Sequence, residues 1–354
     1  MTQTKVLISG AGVAGAALAH FLHHDGFDVT VVERAPGLRD SGYAVDFRGD
    51  AFDVLAEMGI LDEIRGHDTK MRGTALLDTE GAAVGQLPAE AFAGELEVPK
   101  PELTRILHRV TEPNIPYIFD DSITALTQHP DRISVEFERG APRDVDLVIG
   151  ADGLFSKVRR LAFGPHEACL RHLGMSGVGF TADNILSLAH SGALRTGDDH
   201  TAVYAFSAAD TARMSVSLSF ATDAPTLDRR PRSEQEQAVR TAFTGHKWVV
   251  PQLLDAMSAA DDFYFSSSAQ IHLDSWSRGR VALVGDAGYC AAPTAGMGTS
   301  QALIGARSLA RHLTASDGDH TAAFAAYEAE LRPYIEANQQ TGREGAAAFG
   351  ARTE

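Results

Sequence analysis

The sequence predicts an α/β fold whose centre is a parallel, doubly wound sheet, with a second, mainly β unit inserted into it. Three separated segments carry this prediction, VLISGAGVAG at 6–15, DLVIGADGLFSKVRR at 146–160 and GRVALVGDAGYCAAPTAGMG at 279–298. Each contains an apolar run typical of a buried parallel strand. In open α/β sheets ligands gather at the carboxyl ends of such strands, so the residues that follow each run are candidates for a binding site.

The first segment has the pattern of a strand, a tight turn and a helix. Gly10, Gly12 and Gly15 follow the apolar run in a G-x-G-x-x-G spacing, and Val13 and Ala14 lie between them. Gly10 permits a sharp turn, Gly12 leaves room for a pyrophosphate at the helix N-terminus, and Gly15 lets helix and strand pack closely. This pattern predicts a Rossmann-type dinucleotide site.

The residues after the glycines complete that pattern. Gly26 ends the helix, and the second strand ends at Glu33, about 20 residues beyond the glycines, followed by Arg34. A carboxylate at this place can accept hydrogen bonds from ribose hydroxyls. An ordinary tight turn would not need the strand, the helix and the acid together.

Composition excludes several other classes of protein. The formal net charge of −16 argues against nucleic-acid binding, which gains its free energy from clustered Lys and Arg. Cys169 and Cys290 form no C-x-x-C pair, and His20 and His24 lack the further ligands of a zinc site, so no metal is expected. The N-terminal residues do not resemble a signal peptide and no apolar run approaches membrane-spanning length, so we expect a cytoplasmic protein with no membrane partner.

The order of the segments predicts a discontinuous domain arrangement. We expect a nucleotide-binding domain from residues 1–70, 100–170 and 272–320, and a substrate-binding sheet domain from residues 71–99 and 171–271. Residues 321–354 are expected to form a C-terminal helix and tail, with the Ala/Gly-rich stretch at 345–348 as a fraying end. A hairpin around Glu80-Gly81 precedes a helix that begins near Glu102.

The three segments, in this order and at these separations, resemble the single-component (class A) aromatic hydroxylase family of flavin monooxygenases, which has the para-hydroxybenzoate hydroxylase fold. The resemblance covers most of the chain. It implies a Rossmann-type FAD-binding domain of the GR2 type, an inserted mainly β substrate domain and a C-terminal helix. Because the chain ends soon after that helix, it is most similar to the compact TetX-like subgroup.

The resemblance also implies roles for particular residues. The first segment would bind the adenosine and pyrophosphate of FAD, and the middle one, which contains Asp152, is associated with both FAD and NADPH. In the third, the carboxylate would contact the ribityl and pyrophosphate region. That segment contributes Gly285, Asp286, Pro293, Gly296, Met297 and Gly298. Asp286 at the end of a buried strand could instead cap a helix, and Arg105, which matches an FAD-contacting family arginine, could instead be a surface charge.

Active-site candidates lie outside these segments. Asp46 and Arg48 belong to an excursion that lies near the flavin in relatives, and they are the candidate polar groups of the active site. From the sheet domain we nominate four residues as substrate-pocket lining, namely Phe180, Arg213, Met214 and Phe220. No side chain is assigned as a catalytic acid or base, because the cofactor carries the hard chemistry. One departure is Gly305-Ala306, where many relatives have an Asp-Ala pair.

The implied activity is the hydroxylation of an electron-rich aromatic or polyketide-like small molecule. In the family, NADPH reduces FAD, and O₂ then adds to the flavin to give a C4a-hydroperoxide that transfers oxygen. NADH could replace NADPH, and the protein could be a monomer or a homodimer. Two alternatives remain: a non-catalytic flavoprotein that binds FAD and a ligand, and a flavin-dependent halogenase. The halogenase is disfavoured because Trp248 and Trp276 have no W-x-W-x-I-P surroundings.

Overall fold

The computed structural model describes residues 3–38, 44–197, 199–208, 212–349 and 351. Its strands are β1 (Lys5–Ser9), β2 (Asp28–Val32), β3 (Ala44–Phe47), β4 (Thr74–Leu77), β5 (Ala83–Leu87), β6 (Leu96–Pro99), β7 (Tyr117–Ile118), β8 (Ile123–Gln128), β9 (Ile133–Phe137), β10 (Arg143–Val145), β11 (Leu147–Gly150), β12 (Leu170–Asp183), β13 (Ser191–Thr196), β14 (Thr201–Ser207), β15 (Arg213–Ala221), β16 (Tyr264–Ile271), β17 (Ser277–Arg278) and β18 (Val281–Leu283).

The helices alternate with the strands in the first part of the chain and dominate its end. They are α1 (Val13–His24), α2 (Ala51–Glu57), α3 (Leu61–Gly66), α4 (Glu90–Ala93), α5 (Lys100–Thr111), α6 (Lys157–Phe163), α7 (Arg232–Ala242), α8 (Val250–Ala259), α9 (Asp286–Tyr289), α10 (Gly298–Ala315) and α11 (His320–Ala348). Two short 3-10 helices occupy His166–Ala168 and Pro293–Ala295.

The first sheet brings the three sequence segments together. In the part of the chain described, its strand order is β17-β18-β11-β1-β2-β7, and every pair is parallel except β17 with β18. Strands β1, β11 and β18 are therefore neighbours, and their carboxyl ends lie at one edge. The predicted α/β fold with its Rossmann-type domain is confirmed.

The second sheet has the order β16-β12-β15-β14-β13-β4-β5 among the described residues. The predicted hairpin is present as the antiparallel pair β4 and β5, and β4 joins β13 in parallel. Helices α7 and α8 cover one face of this sheet. The sequence predicted a mainly β unit here and named no helix between residues 171 and 271, so these two helices were missed.

The two faces of the second sheet differ in character. Along β15, buried residues alternate with half-buried ones, as expected for a strand with one packed face. The packed face contains Val216 and Leu218 and forms a core with α7 and α8. The other face contains Ser215, Ser217 and Ser219. In this way the sheet presents small polar side chains on the side away from α7 and α8.

The C-terminal helix corrects one prediction. Residues 345–348 were expected to fray, but α11 continues through Ala348, and Ala346 is only 2% exposed. Gly342 and Gly345 pass so close to the carbonyl oxygens of Ala291 and Thr294 that a Cβ at either glycine would overlap them. The small residues of this stretch therefore allow close packing instead of marking a loose end.

None of the described helices is both long enough and apolar enough to cross a lipid bilayer.

Candidate functional site

The loop after β1 has the geometry of a phosphate-binding turn. Gly10 has φ 109°, and its N–H donates to the Val32 carbonyl oxygen at 2.7 Å. A Cβ on Gly10 would lie 2.5 Å from the Ala151 carbonyl oxygen, and one on Gly15 would overlap the Gly10 carbonyl oxygen. Glycine is required at both places because the backbone segments touch.

Gly12 is different, because it faces open space. A Cβ at Gly12 would have no atom of the described residues within 4 Å. Gly12 is also the N-cap of α1 and supplies no capping side chain, so among the described residues no side-chain cap covers the first turn. Free N–H groups and the positive end of the helix dipole are what an anionic pyrophosphate requires. These residues fit the pyrophosphate of FAD.

Glu33 holds the glycine loop in place. One of its carboxylate oxygens accepts a hydrogen bond from the Ala11 N–H at 3.0 Å, and the other accepts one from the Ala35 N–H at 2.9 Å. Arg34 is exposed next to it. Glu33 thus lies at the carboxyl end of β2 and contacts the loop, where a ribose next to the pyrophosphate would also lie.

The third segment places a carboxyl group opposite this loop. Gly285 lies just after β18 with φ 64°, and Asp286, which is exposed, begins α9. The protein packed around the carboxyl raises the pKa of Asp286, while a hydrogen bond from the Cys290 thiol and then the charges of Lys100 and Arg159 act in the opposite direction. The N-cap of α9 is Gly285, which has no side chain, and Asp286 is the first residue of the helix.

The rest of the third segment forms a second uncapped helix start. The 3-10 turn Pro293–Ala295 leads through Gly296, in the left-handed conformation, to Met297 as the N-cap of α10. No described side chain caps this helix, and a Cβ on Gly298 would have no described atom within 4 Å. A helix dipole pointing into open space can stabilise a negative charge, such as that of a reduced flavin.

The middle segment, residues 146–160, contacts the third segment through a hydrogen bond and leads into α6. Asp152 accepts hydrogen bonds from the Ser156 hydroxyl at 2.5 Å and from the Lys157 N–H at 2.7 Å, so its carboxylate caps α6. Arg159 is fully buried and donates to the carbonyl oxygen of Ala287 at 2.7 Å. It thereby ties α6 to the segment that carries Asp286.

Arg105 and Lys100 both belong to α5, but they interact with different carboxyl groups. Arg105 is about half exposed and pairs with Glu102 one turn earlier on the helix surface. Lys100 is the first residue of α5 and lies close enough to Asp286 to act on its charge. The family resemblance indicated Arg105, and the sequence analysis missed Lys100, whose only signal was its position between Pro99 and Pro101.

Asp46 and Arg48 line the edge of the cleft beside Gly296. The Arg48 Nε donates to Asp46 Oδ2 at 2.7 Å, and the Arg48 N–H donates to the Ser300 hydroxyl at 3.1 Å. A Cβ on Gly296 would lie 3.7 Å from Asp46 Oδ2 and 3.8 Å from Arg48 Nη2. The predicted pair is therefore next to the turn that begins α10.

A second carboxyl group stands behind Asp46. In the antiparallel pair of β3 and β6, Glu97 is the register partner of Asp46. Burial raises the pKa of Glu97 to about 7, and burial also raises the pKa of Asp46. The sequence patterns did not single out Glu97, although an acid between the buried residues Leu96 and Val98 was a signal for it.

The nominated pocket residues do not reach this cleft. Phe180, Met214 and Phe220 belong to the core between the second sheet and α7–α8. Arg213 is exposed at the end of β15, where it pairs with Asp183. The three apolar side chains point to the helices, so the pocket nomination is corrected.

The opposite face of the sheet is the one that approaches the nucleotide-binding domain. Tyr204 stacks on Phe206 and on Phe92 of α4, with ring centroids 5.4 Å and 4.8 Å apart. Tyr204 is also close enough to Glu97 for their charges to interact. Ser217 is the register partner of both Tyr204 and Gly179, so small residues lie next to the aromatic stack.

Comparison with known proteins agrees with this geometry. A family model described as an FAD binding domain matches residues 3–341. This chain belongs to that FAD-binding family. The flavin-dependent monooxygenase of Legionella longbeachae is 35% identical over 96% of this chain and 87% of its own length. An uncharacterized Mycobacterium tuberculosis protein, Rv1260, is 42% identical over 94% of this chain and 91% of its own length.

A solved structure supports the same conclusion for the whole fold. The tetracycline destructase Tet(55), whose crystal structure is known, is 37% identical to this chain in sequence. The two structures match with a TM-score of 0.89 over 98% of this chain and 90% of that one. This flavin monooxygenase is therefore an enzyme of the TetX-like, aromatic hydroxylase type, and FAD is its cofactor.

Proposed function

We propose that this flavin monooxygenase uses NAD(P)H and O₂ to hydroxylate an electron-rich aromatic or polyketide-like small molecule. In the balanced reaction, substrate C–H, O₂, NAD(P)H and one proton give substrate C–OH, water and NAD(P)⁺. When bound, FAD supplies the redox chemistry: it takes the two electrons and activates O₂ by the route that the family resemblance implies. NADPH is the expected reductant, and NADH is the alternative.

The residues of the chain hold and surround the cofactor. The loop at Gly10–Gly15 and the start of α1 would bind the pyrophosphate, and Asp286 would accept hydrogen bonds from the sugar chain. The uncapped start of α10 would stabilise negative charge on the reduced flavin. The observation that carries the proposal is that the uncapped helix starts at Gly12 and Gly298 both face open space, and that the exposed Asp286 follows Gly285, which lies against Ala14 of α1 and Ala302 of α10.

We place the substrate between the second sheet and the Asp46–Arg48 pair. On the sheet side, Ser217 and Gly179 leave room, and Tyr204 offers an aromatic surface. Tet(55) is a tetracycline destructase by name, which supports a polycyclic, oxygen-rich substrate. An electron-rich ring in this space would lie next to the turn that begins α10.

Isotope labelling tests the reaction. The purified protein, with NADPH and a panel of phenols and polycyclic aromatics, is supplied with ¹⁸O₂, and products are analysed by mass spectrometry. We expect one ¹⁸O atom in the product, and slow NADPH oxidation with H₂O₂ release when substrate is absent. Oxygen derived from water, or flavin reduction without oxygen transfer across the panel, would contradict the proposal and favour a dehydrogenase or a ligand-binding flavoprotein. A halogenated product in the presence of chloride would favour a halogenase.

A further inference from the structure

Glu97 is a buried acid that the proposed reaction does not use. It is 8% exposed, and its carboxyl accepts a hydrogen bond from the Thr69 hydroxyl at 2.7 Å. The Thr69 N–H also donates to the Glu97 carbonyl oxygen at 2.8 Å, so the side chain and the backbone are both fixed. A buried carboxyl that is fixed in this way is a candidate for a functional role, because its charge acts on nearby groups.

Its partner across the strand pair is Asp46. Register partners in an antiparallel pair point to the same face, and like charges directly opposite each other are unfavourable. Asp46 has a cation, Arg48, at 2.7 Å, whereas among the described residues the side chain that donates to Glu97 is the Thr69 hydroxyl. Of the two carboxyls, Asp46 is therefore the one that loses its proton first as pH rises, and Glu97 is the one that keeps its proton to higher pH.

The other described charged groups around β6 do not offset the repulsion between Glu97 and Asp46. Asp68 adds a second negative charge near Glu97, and Tyr204 faces it from β14. Helices α3 and α5 also pack against β6. Their cations are engaged elsewhere: Arg65 pairs with Asp62, Arg109 with Glu63 and Arg105 with Glu102, and Lys100 lies near Asp286. His190 is a neighbour of Thr69: its Nδ1 lies 2.8 Å from the Thr69 carbonyl oxygen, and Thr69 in turn donates to Glu97.

We propose that Glu97 is a positioning residue that sets, through its own charge, how firmly Asp46 holds Arg48 at the edge of the FAD cleft. Neutral Glu97 leaves the Asp46–Arg48 pair undisturbed beside Gly296. Ionised Glu97 repels Asp46 and adds a negative charge beside a site that receives an anionic cofactor. The inference rests on the proposed placement of Asp46 and Arg48 at the cofactor.

The pH dependence of FAD affinity tests this inference without turnover. The dissociation constant of FAD is measured by flavin fluorescence on the apoprotein from pH 5.5 to 8.5. We expect affinity to fall as pH rises, about tenfold if FAD binding shifts the titration of Glu97 by one pH unit. In Glu97→Gln, which keeps the shape but not the charge, affinity should be nearly constant.

Matched variants separate Glu97 from its neighbours. Glu95 lies two residues earlier, is exposed and accepts a hydrogen bond from the Gly49 N–H. Glu95→Gln removes the same formal charge and should keep the wild-type pH dependence, as should His190→Gln. Asp46→Asn removes the facing charge and should move the midpoint to lower pH.

The stability of the apoprotein gives a second measurement. Between pH 4.5 and about 7, unfolded Glu97 is ionised while folded Glu97 keeps its proton, since its folded pKa is the higher one. The wild type should therefore lose stability relative to Glu97→Gln as pH rises through this window, by about 300-fold in the unfolding equilibrium, and no further above it.

Three results would overturn the proposal. They are a wild-type FAD affinity that does not change with pH, an equal pH dependence in Glu97→Gln, and a loss of the pH dependence in Glu95→Gln or His190→Gln. If Glu97→Gln does not fold, the midpoint in Asp46→Asn decides, and an unmoved midpoint overturns the proposal. If the wild type binds no FAD at any pH, the FAD site itself is wrong, and the inference fails with it.

Discussion

Gly305 lies directly against the hydroxyl of Tyr289, so that a Cβ at position 305 would overlap the phenol oxygen. Tyr289 is fully buried, and its hydroxyl lies 3.0 Å from the Tyr327 hydroxyl. This contact gives a physical reason for the Gly305-Ala306 pair where relatives have Asp-Ala. An aspartate at 305 would not fit beside this tyrosine.

We expect Gly305→Ala to destabilise the protein. The added methyl must displace a hydrogen-bonded, buried tyrosine, and overpacking of this kind costs about 1–3 kcal/mol, partly offset by about 1 kcal/mol of better helix propensity. Tyr289→Phe removes the hydroxyl, so the double variant should recover most of the loss. Urea unfolding of the two single variants and the double variant measures this. Additive effects of the two changes would contradict the contact.

Gly12 and Gly15 separate cofactor binding from folding. Gly12→Val should fold normally, because a Cβ there meets no described atom, yet it should lower FAD affinity by more than about a hundredfold, since the side chain fills the pyrophosphate position. Gly15→Ala should instead lower the yield of folded protein, because its Cβ overlaps the Gly10 carbonyl oxygen. FAD titration and circular dichroism distinguish the two. If the Gly12→Val variant binds FAD as tightly as the wild type, Gly12 has no role in binding the pyrophosphate.

Asp286→Ala should weaken FAD binding without unfolding the chain. A lost charge-assisted hydrogen bond is worth about 1.5–3 kcal/mol, or roughly ten- to a hundredfold in the dissociation constant. Asp286→Asn is the control for charge, because it keeps one oxygen acceptor and should lose less. Titration of each apoprotein with FAD gives the comparison. Equal affinity in the alanine variant and the wild type would leave Asp286 without a cofactor role.

The parts of this molecule that the sequence predicted are those with local causes. The turn at Gly10 and the close packing at Gly15 follow from residues within one strand–turn–helix unit, and β18 with Gly285 is a similar unit. Glu97 became relevant only because β3 pairs with β6, fifty residues later in the chain. Such a pairing has no signature in either strand alone.

The position of the pocket depended on information that alternation does not contain. The pattern of β15 shows that Met214 and Val216 share a face, but not that α7 and α8 cover that face. Those helices were not predicted, so the apolar face was taken for the pocket. The domain boundaries and the cytoplasmic location remain predictions.

Variants on the two faces of the second sheet test where the substrate binds. Ser217→Phe places a ring on the half-buried face next to Tyr204 and should abolish substrate-stimulated NADPH oxidation while leaving FAD content unchanged, because it fills the proposed substrate space. Ser217→Ala keeps that space open and should retain most of the response. Phe220→Leu, in the core against α7 and α8, should lower the free energy of unfolding by about 1 kcal/mol or more and leave the response intact. The loss of NADPH absorbance, followed with one substrate taken from the panel, measures the stimulated oxidation. The ratio of flavin to protein absorbance measures the FAD content. A normal response in Ser217→Phe would move the substrate away from this face.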